Sequence, residues 1–404
     1  MALNRKDFWK GFGTALIIVA VISMVWKPVA RTIPWHMLPF EIGMSRSAKI
    51  SMIEEYLDRY YVEEPDEKMI DDMLYTGMLA GVGDRYTYYL TAESLGQYME
   101  NANGHFEGIG LTVYTTEAGE VMVAGVMEGQ PAEKAGIQRG DVIIGVDGED
   151  MRGKTQADVA DKIRGKAGTD VTVEVARKST GSTHSFTVTR GNVVLQTVES
   201  RMLQKGIGYI AVSGFKENTY EQFREAMQGL RTQGMQALLL DLRDNPGGLI
   251  KSVYQIGEEL LPEGTMVYTV DNRNQRSDLI CDEKYLDIPL VVLVNGNSAS
   301  ASEILSGAIK DRGVGTLVGT QTFGKGLVQR LFTLPDGSGL NITIQKYYTP
   351  NGTSIHGVGI TPDEIVELPE AYQTMFREEI PAEEDAQLQR GVALLQEQLL
   401  KKDF

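Results

Sequence analysis

The sequence predicts a multidomain protein of α/β and β class, with an N-terminal membrane helix, a helical segment, a β-rich middle domain, an α/β block and a C-terminal helix. Three observations support this prediction. An uncharged run, Gly11–Trp26, lies near the N-terminus. Near His105 the helical spacing of apolar residues changes to strand-type alternation with frequent glycine. From Val194 onward, short apolar strands alternate with helical stretches, as in α/β domains.

Length and composition narrow the class of function. The 404 residues suffice for two or three domains at roughly 100–200 residues each. With 39 Lys and Arg against 55 Asp and Glu, the formal net charge is −16, so no basic surface is available for phosphates and nucleic acid is not an expected partner. The single cysteine, Cys281, excludes an internal disulfide, and the four histidines are scattered. We therefore expect no metal and no other cofactor.

The uncharged run Gly11–Trp26 predicts a membrane segment. As a helix it would extend about 24 Å, slightly less than the hydrocarbon core of roughly 30 Å, and the flanking residues Phe8–Lys10 lengthen it. Arg5 and Lys6 precede it, so the positive-inside rule keeps the N-terminus in the cytoplasm and places the body after Lys27 outside. A retained anchor is favoured over a cleaved signal peptide, since no small-residue cleavage site follows. If the segment is cleaved, the body is secreted.

Two regions have apolar residues at helical spacing, from Ser47 to about Asn103 and from Asp385 to Lys401. The α/β block contains the predicted strands Tyr209–Val212, Ala237–Leu240 and Leu290–Val294. The run Val291–Val294 is apolar throughout, which is typical of a buried strand.

The middle region begins with Gly108-Ile109-Gly110-Leu111, which opens a predicted strand. Glycine conformations here free successive N–H groups to bind an anion such as a peptide carboxylate, although a simple turn has the same pattern. The segments Pro131–Ile143 and Val146–Gly148 follow, and then a helix predicted over about Lys154–Arg164. This arrangement resembles a PDZ domain over about residues 105–193.

The resemblance implies a groove in which a peptide C-terminus adds as an extra strand. The groove positions would be Ile109, Gly110, Leu111, Val159 and Ile163. A β-rich domain without a ligand is the alternative. Arg164 is a candidate sensor of the bound peptide, and a solvated arginine at a helix end is the simpler interpretation.

Three motifs in the α/β block carry candidate chemistry. The first follows strand Leu290–Val294 and contains three serines, Ser298, Ser300 and Ser302, ahead of a helix. A helix N-terminus favours an oxyanion beside a nucleophilic hydroxyl. Simple capping explains the same residues, because Ser300 with Glu303 fits a capping box.

The second motif, Gly319–Gly326, fits the first part of a phosphate loop but has Gly326 where that loop needs Ser or Thr, and a strand pattern follows it. Lys325 is instead a candidate general base, since burial lowers the pKa of a lysine; a surface lysine is the default alternative.

The third motif is strand Leu238–Asp241 with the Pro246-Gly247-Gly248 turn, which is either a source of oxyanion donors or a plain turn.

Together the motifs resemble those of the C-terminal processing peptidases, also called tail-specific proteases. The shared patterns are Asp-x-Arg-x-Asn-x-Gly-Gly (241–248), Ser-Ala-Ser-Ala-Ser-Glu (298–303) and Phe-Gly-Lys-Gly (323–326), with Gly83–Tyr89, Thr349–Gly352 and Gly359–Asp363 as further matches. The resemblance covers about Glu55 to Pro362.

The resemblance implies a Ser-Lys dyad of Ser300 as nucleophile and Lys325 as base, with Gln329 orienting the lysine. Gln329 and Lys325 are an even number of residues apart, which puts both on one face of an extended strand. The oxyanion donors would be the backbone N–H of Ala301 and of Gly247 or Gly248. The expected activity is cleavage of polypeptides near their C-termini, gated by the PDZ domain.

On this basis the chain divides into residues 1–10 (cytoplasmic), 11–26 (anchor or signal), 27–46 (linker), 47–104 (helical), 105–193 (PDZ domain), 194–370 (α/β serine protease core) and 371–404 (helical tail). The expected partners are polypeptides bound through their C-terminal carboxylates and the membrane, and a homo-oligomer stays open. A membrane-anchored PDZ adaptor without catalysis is the alternative function. A Ser-His-Asp hydrolase using His356 is the alternative chemistry, although the chain has no Gly-x-Ser-x-Gly elbow.

Overall fold

A computed structural model describes residues 44–283, 285–373 and 375–402. The predicted membrane segment, residues 11–26, lies outside this part of the chain. Among the helices that are described, none is long and apolar enough to cross a bilayer. The described residues divide into two compact units, one that ends at Met73 and one that begins at Leu74.

The α-helices of the described residues are α1 (Arg46–Tyr60), α2 (Glu67–Ala80), α3 (Ala92–Asn103), α4 (Pro131–Ala135), α5 (Gln156–Ile163), α6 (Thr219–Thr232), α7 (Ile250–Leu260), α8 (Ala301–Asp311) and α9 (Ala386–Lys402). The strands are β1 (Tyr88–Leu90), β2 (His105–Gly108), β3 (Leu111–Thr115), β4 (Val121–Val126), β5 (Asp141–Val146), β6 (Glu149–Asp150), β7 (Asp170–Arg177), β8 (Ser182–Thr189), β9 (Gly191–Val194), β10 (Val198–Met202), β11 (Ile207–Val212), β12 (Ala237–Asp241), β13 (Gly264–Asp271), β14 (Arg276–Cys281), β15 (Leu290–Val294), β16 (Thr316–Gly319), β17 (Leu327–Thr333), β18 (Gly339–Tyr348) and β19 (Glu364–Ile365).

The middle domain is a sheet in the order β3-β4-β5-β7-β8, with β6 paired to β5, and the helices α4 and α5. The chain enters and leaves this domain through β2 and β9, which pair with each other. Helix α5 is shorter than the predicted Lys154–Arg164. It starts after Thr155 because Thr155 and Asp158 form a reciprocal capping box, which satisfies donors at the helix start.

The α/β block has a central sheet in the order β10-β11-β12-β15-β16-β19, parallel except for β10. Successive residues of a strand face opposite sides, so Leu238 and Leu240 pack with α6, α7 and α8, whereas Leu239 packs on the other face with α9. Helix α9 therefore covers one face of the central sheet through Leu388 and Leu395, so the helix of the predicted C-terminal tail packs on the α/β block.

A second, antiparallel sheet has the order β1-β18-β13-β14, with β17 also paired to β18. Its strand β1 belongs to the region 47–104, which the periodicity predicted to be a helical region. That prediction is wrong for Tyr88–Leu90, because pairing with Gly339–Asn341 of β18 stabilises an extended conformation.

Candidate active site

The three motifs meet because their loops follow neighbouring parallel strands. Strands β12, β15 and β16 are adjacent in the central sheet and run in the same direction, so their carboxyl ends lie at one edge. The loops after these ends carry the glycine turn, the serine turn and the Lys325 loop, respectively. In open α/β sheets this edge is where ligands bind.

The structure distinguishes the three competing serines by what their hydroxyls do. Ser298 and Ser302 are fully buried. The Ser298 hydroxyl donates to the carbonyl of Leu242 (2.8 Å), and the Ser302 hydroxyl donates to the carbonyl of Asn245 (2.9 Å). Ser300 is only partly buried and lines a cavity. Of the three, it is the serine placed to meet a substrate.

Ser300 has a strained backbone, with φ 54° and ψ −112° immediately before α8. Such a conformation costs a non-glycine residue roughly 1–3 kcal/mol, and surrounding contacts must hold it. The Ser300 N–H donates to Glu303 (2.8 Å), and the Tyr347 hydroxyl donates to the Ser300 carbonyl (3.0 Å). These two contacts, from opposite ends of the residue, hold the serine at the start of the helix.

Glu303 joins the serine turn to the lysine loop. Its fully buried carboxylate accepts hydrogen bonds from the N–H of Ser300 (2.8 Å), the N–H of Lys325 (2.9 Å), the N–H of Gly324 (2.7 Å) and the hydroxyl of Thr322 (2.7 Å). The sequence predicted only a helix cap at this position. The lysine loop supplies the other three donors, so no local pattern around Ser300 reveals them.

The glycine turn packs directly against the serine turn. A Cβ on Gly247, which has φ +101°, would lie 2.7 Å from the carbonyl oxygen of Ala299 and 2.8 Å from the Cβ of Ser300. The Gly247 N–H donates to the Asn245 side chain (2.9 Å). By contrast, no hydrogen bond from the N–H of Gly248 or of Ala301 occurs within the described ranges. Of the two predicted glycine donors, only Gly248 keeps a free N–H.

Lys325 lies in the loop between β16 and β17 and is partly buried. Burial lowers the pKa of its amine, and Arg85 lowers it further, while the carboxylates of Asp84 and Glu303 act in the opposite direction. Its Nζ lies 4.6 Å from the centre of the Tyr86 ring, a cation–π distance. The Arg85 guanidinium also lies over this ring, at 5.1 Å. The sequence identified the segment Gly83–Tyr89 but not its place beside the lysine.

Gln329 lies on β17 and donates from Nε2 to the Thr343 hydroxyl (3.2 Å). Lys325 precedes this strand, and a register irregularity falls between Val328 and Gln329. The strand alternation from which we expected both side chains on one face is therefore interrupted. In the described part of the chain, no hydrogen bond joins Gln329 to Lys325. The two residues nevertheless line the same cavity.

One cavity of about 500 Å³ contains these groups, within the size range of ligand sites. Its lining includes Ser300, Lys325, Gln329, Gly247, Gly248, Phe215, Lys216, Leu249, Ile250, Tyr347 and, from α3, Tyr98, Asn101 and Ala102. His356 is exposed, packs beside Gly326 and has no hydrogen bond to Ser300 among the described residues. The described geometry therefore does not place His356 as a base for Ser300.

In the middle domain, Ile109, Val159 and Ile163 belong to one apolar core, with Leu111 packed against it. Ile109, Val159 and Ile163 are 1%, 0% and 6% exposed, so their side chains belong to the interior of the domain. Gly110 has φ +82°, and a Cβ there would lie 2.5 Å from the Gln130 side chain. Arg164 is exposed and lies 3.7 Å from Asp161, as a solvated residue at a helix end does.

Comparison with known proteins identifies both domains. Residues 206–366 match the model of peptidase family S41, and residues 122–177 match that of the PDZ domain. The carboxyl-terminal-processing protease of Synechocystis is 38% identical over 324 residues, 79% of this chain and 75% of that protein. The carboxy-terminal processing protease CtpB of Bacillus subtilis is 35% identical over 332 residues, 80% of this chain and 68% of that protein.

A solved structure of an S41 protease from Bacteroides fragilis superposes with a TM-score of 0.53 at 17% identity, over 83% of this chain and 92% of that one, which supports the fold alone. The family model goes further, because residues 206–366 include the glycine turn, the serine turn and the Lys325 loop. The two sequence relatives are more than 30% identical to this chain over about four-fifths of its length. The chain therefore belongs to peptidase family S41, the serine peptidases that include the carboxyl-terminal processing proteases.

Proposed function

We propose that this chain is a Ser-Lys endopeptidase, anchored to the membrane by residues 11–26, that cleaves extracytoplasmic polypeptides near their C-termini. The observation that carries the proposal is the cavity shared by Ser300, Lys325 and Gly248. A nucleophile, a base with a lowered pKa and an uncommitted backbone N–H are the parts that acyl transfer requires.

In the proposed reaction, the neutral Lys325 amine takes the proton of the Ser300 hydroxyl as the oxygen attacks the peptide carbonyl carbon. The N–H groups of Gly248 and Ala301 donate to the oxyanion that forms. The Lys325 ammonium then protonates the leaving amine, and the peptide C–N bond breaks. Lys325 next takes a proton from water, whose oxygen attacks the acyl carbon, and the Ser300 oxygen leaves with that proton. The products are a carboxylate and an amine.

The surroundings of Lys325 fit both protonation states in this cycle. Burial favours the neutral amine that starts the reaction. The Tyr86 ring and the nearby carboxylates of Asp84 and Glu303 stabilise the ammonium that forms after proton transfer. Thr343 holds the nitrogen of the Gln329 amide, which leaves the amide oxygen to accept a hydrogen bond from the amine during the cycle.

The PDZ domain would bind the substrate C-terminus and gate access to the cleft. The positive φ of Gly110, ahead of β3, is the backbone feature that a carboxylate nest requires. The peptide would pair with β3, at Leu111, in the space beside α5 and Ile163. Binding of a peptide with a free C-terminus should exceed binding of its amidated form, and equal affinities would remove the case for this nest.

The activity is tested with the full chain in detergent and an unstructured polypeptide that ends in an apolar residue. We expect cleavage near the C-terminus by the wild-type protein. Ser300→Ala and Lys325→Arg should both be inactive, the latter because arginine stays charged. Ser277→Ala and Lys310→Arg, which alter exposed or half-exposed residues outside the cavity, are matched controls that should keep the activity. Peptide binding without cleavage by any of these proteins would support the adaptor instead.

A further inference from the structure

Lys216 is a second lysine in the active-site cavity. It follows Phe215, whose backbone is tied to the glycine turn on both sides. The Phe215 N–H donates to the Gly247 carbonyl (2.9 Å), and the Leu249 N–H donates to the Phe215 carbonyl (2.7 Å). This pairing fixes Phe215 against the glycine turn, which contains the candidate oxyanion donor Gly248. Lys216 is the next residue in the chain.

The Lys216 amine has a neutral partner. Its Nζ donates to the Asn101 side-chain oxygen on α3 (2.5 Å). In the chain as described, no carboxylate lies within 4.0 Å of this nitrogen, whereas the adjacent Glu217 pairs with Lys251 (2.5 Å). Burial alone lowers the pKa of Lys216, and no charged group contributes to that shift. Lys216 is thus a partly desolvated cation without a counter-ion.

We propose that Lys216 forms a carboxylate-binding subsite of the substrate cleft, an inference that rests on the proposed peptidase function. A polypeptide that occupies the cavity next to Ser300 passes the ammonium group of Lys216, whose hydration is already reduced. The apolar side chains of Leu249 and Ile250 line the same cavity. A substrate carboxylate is the group that compensates such a charge most strongly. It would come from an Asp or Glu side chain near the scissile bond, or from the C-terminus of the polypeptide.

The experiment compares four full-length proteins, wild type, Lys216→Gln, Lys216→Arg and Lys251→Gln, on two series of peptides with one scissile bond. The first series pairs a free C-terminus with its amide at several distances from the bond. The second keeps an amidated C-terminus and pairs Glu with Gln at each position near the bond. The measured quantity is the ratio of kcat/KM for the acid and the amide of each pair. Carboxylate binding by the PDZ domain is common to all four proteins and cancels when their ratios are compared.

We expect one series to contain a position where the wild-type ratio exceeds that of Lys216→Gln by roughly 10- to 100-fold, the contribution of a charge-assisted hydrogen bond. Lys216→Arg should restore most of this ratio. Lys251→Gln should leave it unchanged, because Lys251 is outside the cavity although it carries the same charge. The series that responds identifies the source of the carboxylate.

Equal ratios for wild type and Lys216→Gln in both series would overturn the subsite. A uniform loss of kcat/KM on acids and amides would also overturn it, since that result means that Lys216 only fastens α3 through Asn101. Absence of cleavage by the wild-type protein on every peptide is a different outcome, because it contradicts the peptidase function itself and the subsite with it.

Discussion

The Lys325 amine lies 4.6 Å from the centre of the Tyr86 ring. These residues are far apart in the sequence, and the pairing of β1 with β18 brings the Tyr86 segment to the lysine. Asn341 of β18 fixes this segment further by donating from its side chain to the Tyr86 carbonyl (3.0 Å). The surroundings of Lys325 therefore depend on a segment that precedes the PDZ domain.

Replacing Tyr86 tests this contact. A cation–π contact favours the ammonium over the neutral amine. Tyr86→Leu should therefore move the acid limb of the pH–rate profile to lower pH, by roughly 0.5–1 pH unit. Tyr86→Phe keeps the ring and should keep the wild-type limb. Profiles of kcat against pH for the three proteins decide the matter. A Leu variant with the wild-type limb would show that the ring does not act on the amine.

The two charged residues before Tyr86 should shift the same limb in opposite directions. Asp84 favours the Lys325 ammonium, so Asp84→Asn should move the acid limb to lower pH. Arg85 disfavours the ammonium, so Arg85→Gln should move the limb to higher pH. The third charged group that acts on this amine, Glu303, is unchanged in both variants. Shifts of the same sign would contradict the assignment of Lys325 as the titrating base.

Glu303→Gln should lower the rate of catalysis while the protein remains folded. The glutamine places an NH₂ group against at least one of the four donors that the carboxylate accepts, so the serine turn and the lysine loop lose their common anchor. We expect kcat to fall by roughly 100-fold or more, because misplacement by about 1 Å has such effects. Glu225→Gln, on the exposed part of α6, is the matched control. Circular dichroism confirms folding, and a folded Gln variant with normal kcat would refute the anchoring role.

Gly247→Ala should inactivate the protein, whereas Gly296→Ala should not. The first substitution adds a Cβ within 2.9 Å of three atoms of the serine turn at φ +101°. The second, in the loop that precedes Ser300, meets only the Gln321 carbonyl, at 3.9 Å, and needs no positive φ. Cleavage rates and melting temperatures are the measurements. Comparable rates for the two variants would mean that the serine turn tolerates displacement.

Arg243→Met should destabilise the core strongly. Arg243 is 2% exposed and bridges the carboxylates of Asp241 (2.7 Å) and Asp385 (2.8 Å), which ties β12 to the start of α9. Removing one partner of a buried ion pair costs about 3–5 kcal/mol of unfolding free energy. Arg224→Met breaks an exposed pair with Glu221 and should cost at most about 1 kcal/mol. Denaturant unfolding of both variants provides the comparison, and similar losses would contradict the buried network.

The ion pair between Arg243 and Asp241 also predicts that the protein loses stability at low pH. Burial alone would raise the pKa of Asp241, but Arg243 outweighs it and holds the pKa below its usual range. The stability that this carboxylate contributes is therefore present above about pH 3.9, the unfolded value, and is lost as pH falls through the lower folded value. Unfolding free energies of the wild type should decline in that window. In Asp241→Asn this part of the decline should be absent.

The sequence by itself determined the features that are written in contiguous residues. Strand Leu290–Val294 and the strand after Lys325 both follow from local residue patterns and match the structure. The first is apolar throughout because it is buried on both faces of the parallel part of the central sheet. The second lies in the antiparallel sheet. The short motifs around Gly247, Ser300 and Lys325 sufficed for the resemblance to the family, which the comparisons confirm.

Only the tertiary structure decided which donors and acceptors of those motifs are already hydrogen-bonded within the protein and which are left for a substrate. The Gly247 N–H is taken by Asn245, the Ser298 and Ser302 hydroxyls by backbone carbonyls, and the Glu303 carboxylate by a loop that follows the next strand. Hydrogen bonds between loops depend on strand order and register, which a local pattern does not contain. For the same reason the sequence did not place Tyr86 beside Lys325, Lys216 beside the glycine turn or α9 on the central sheet, since each position is set by pairing across distant segments.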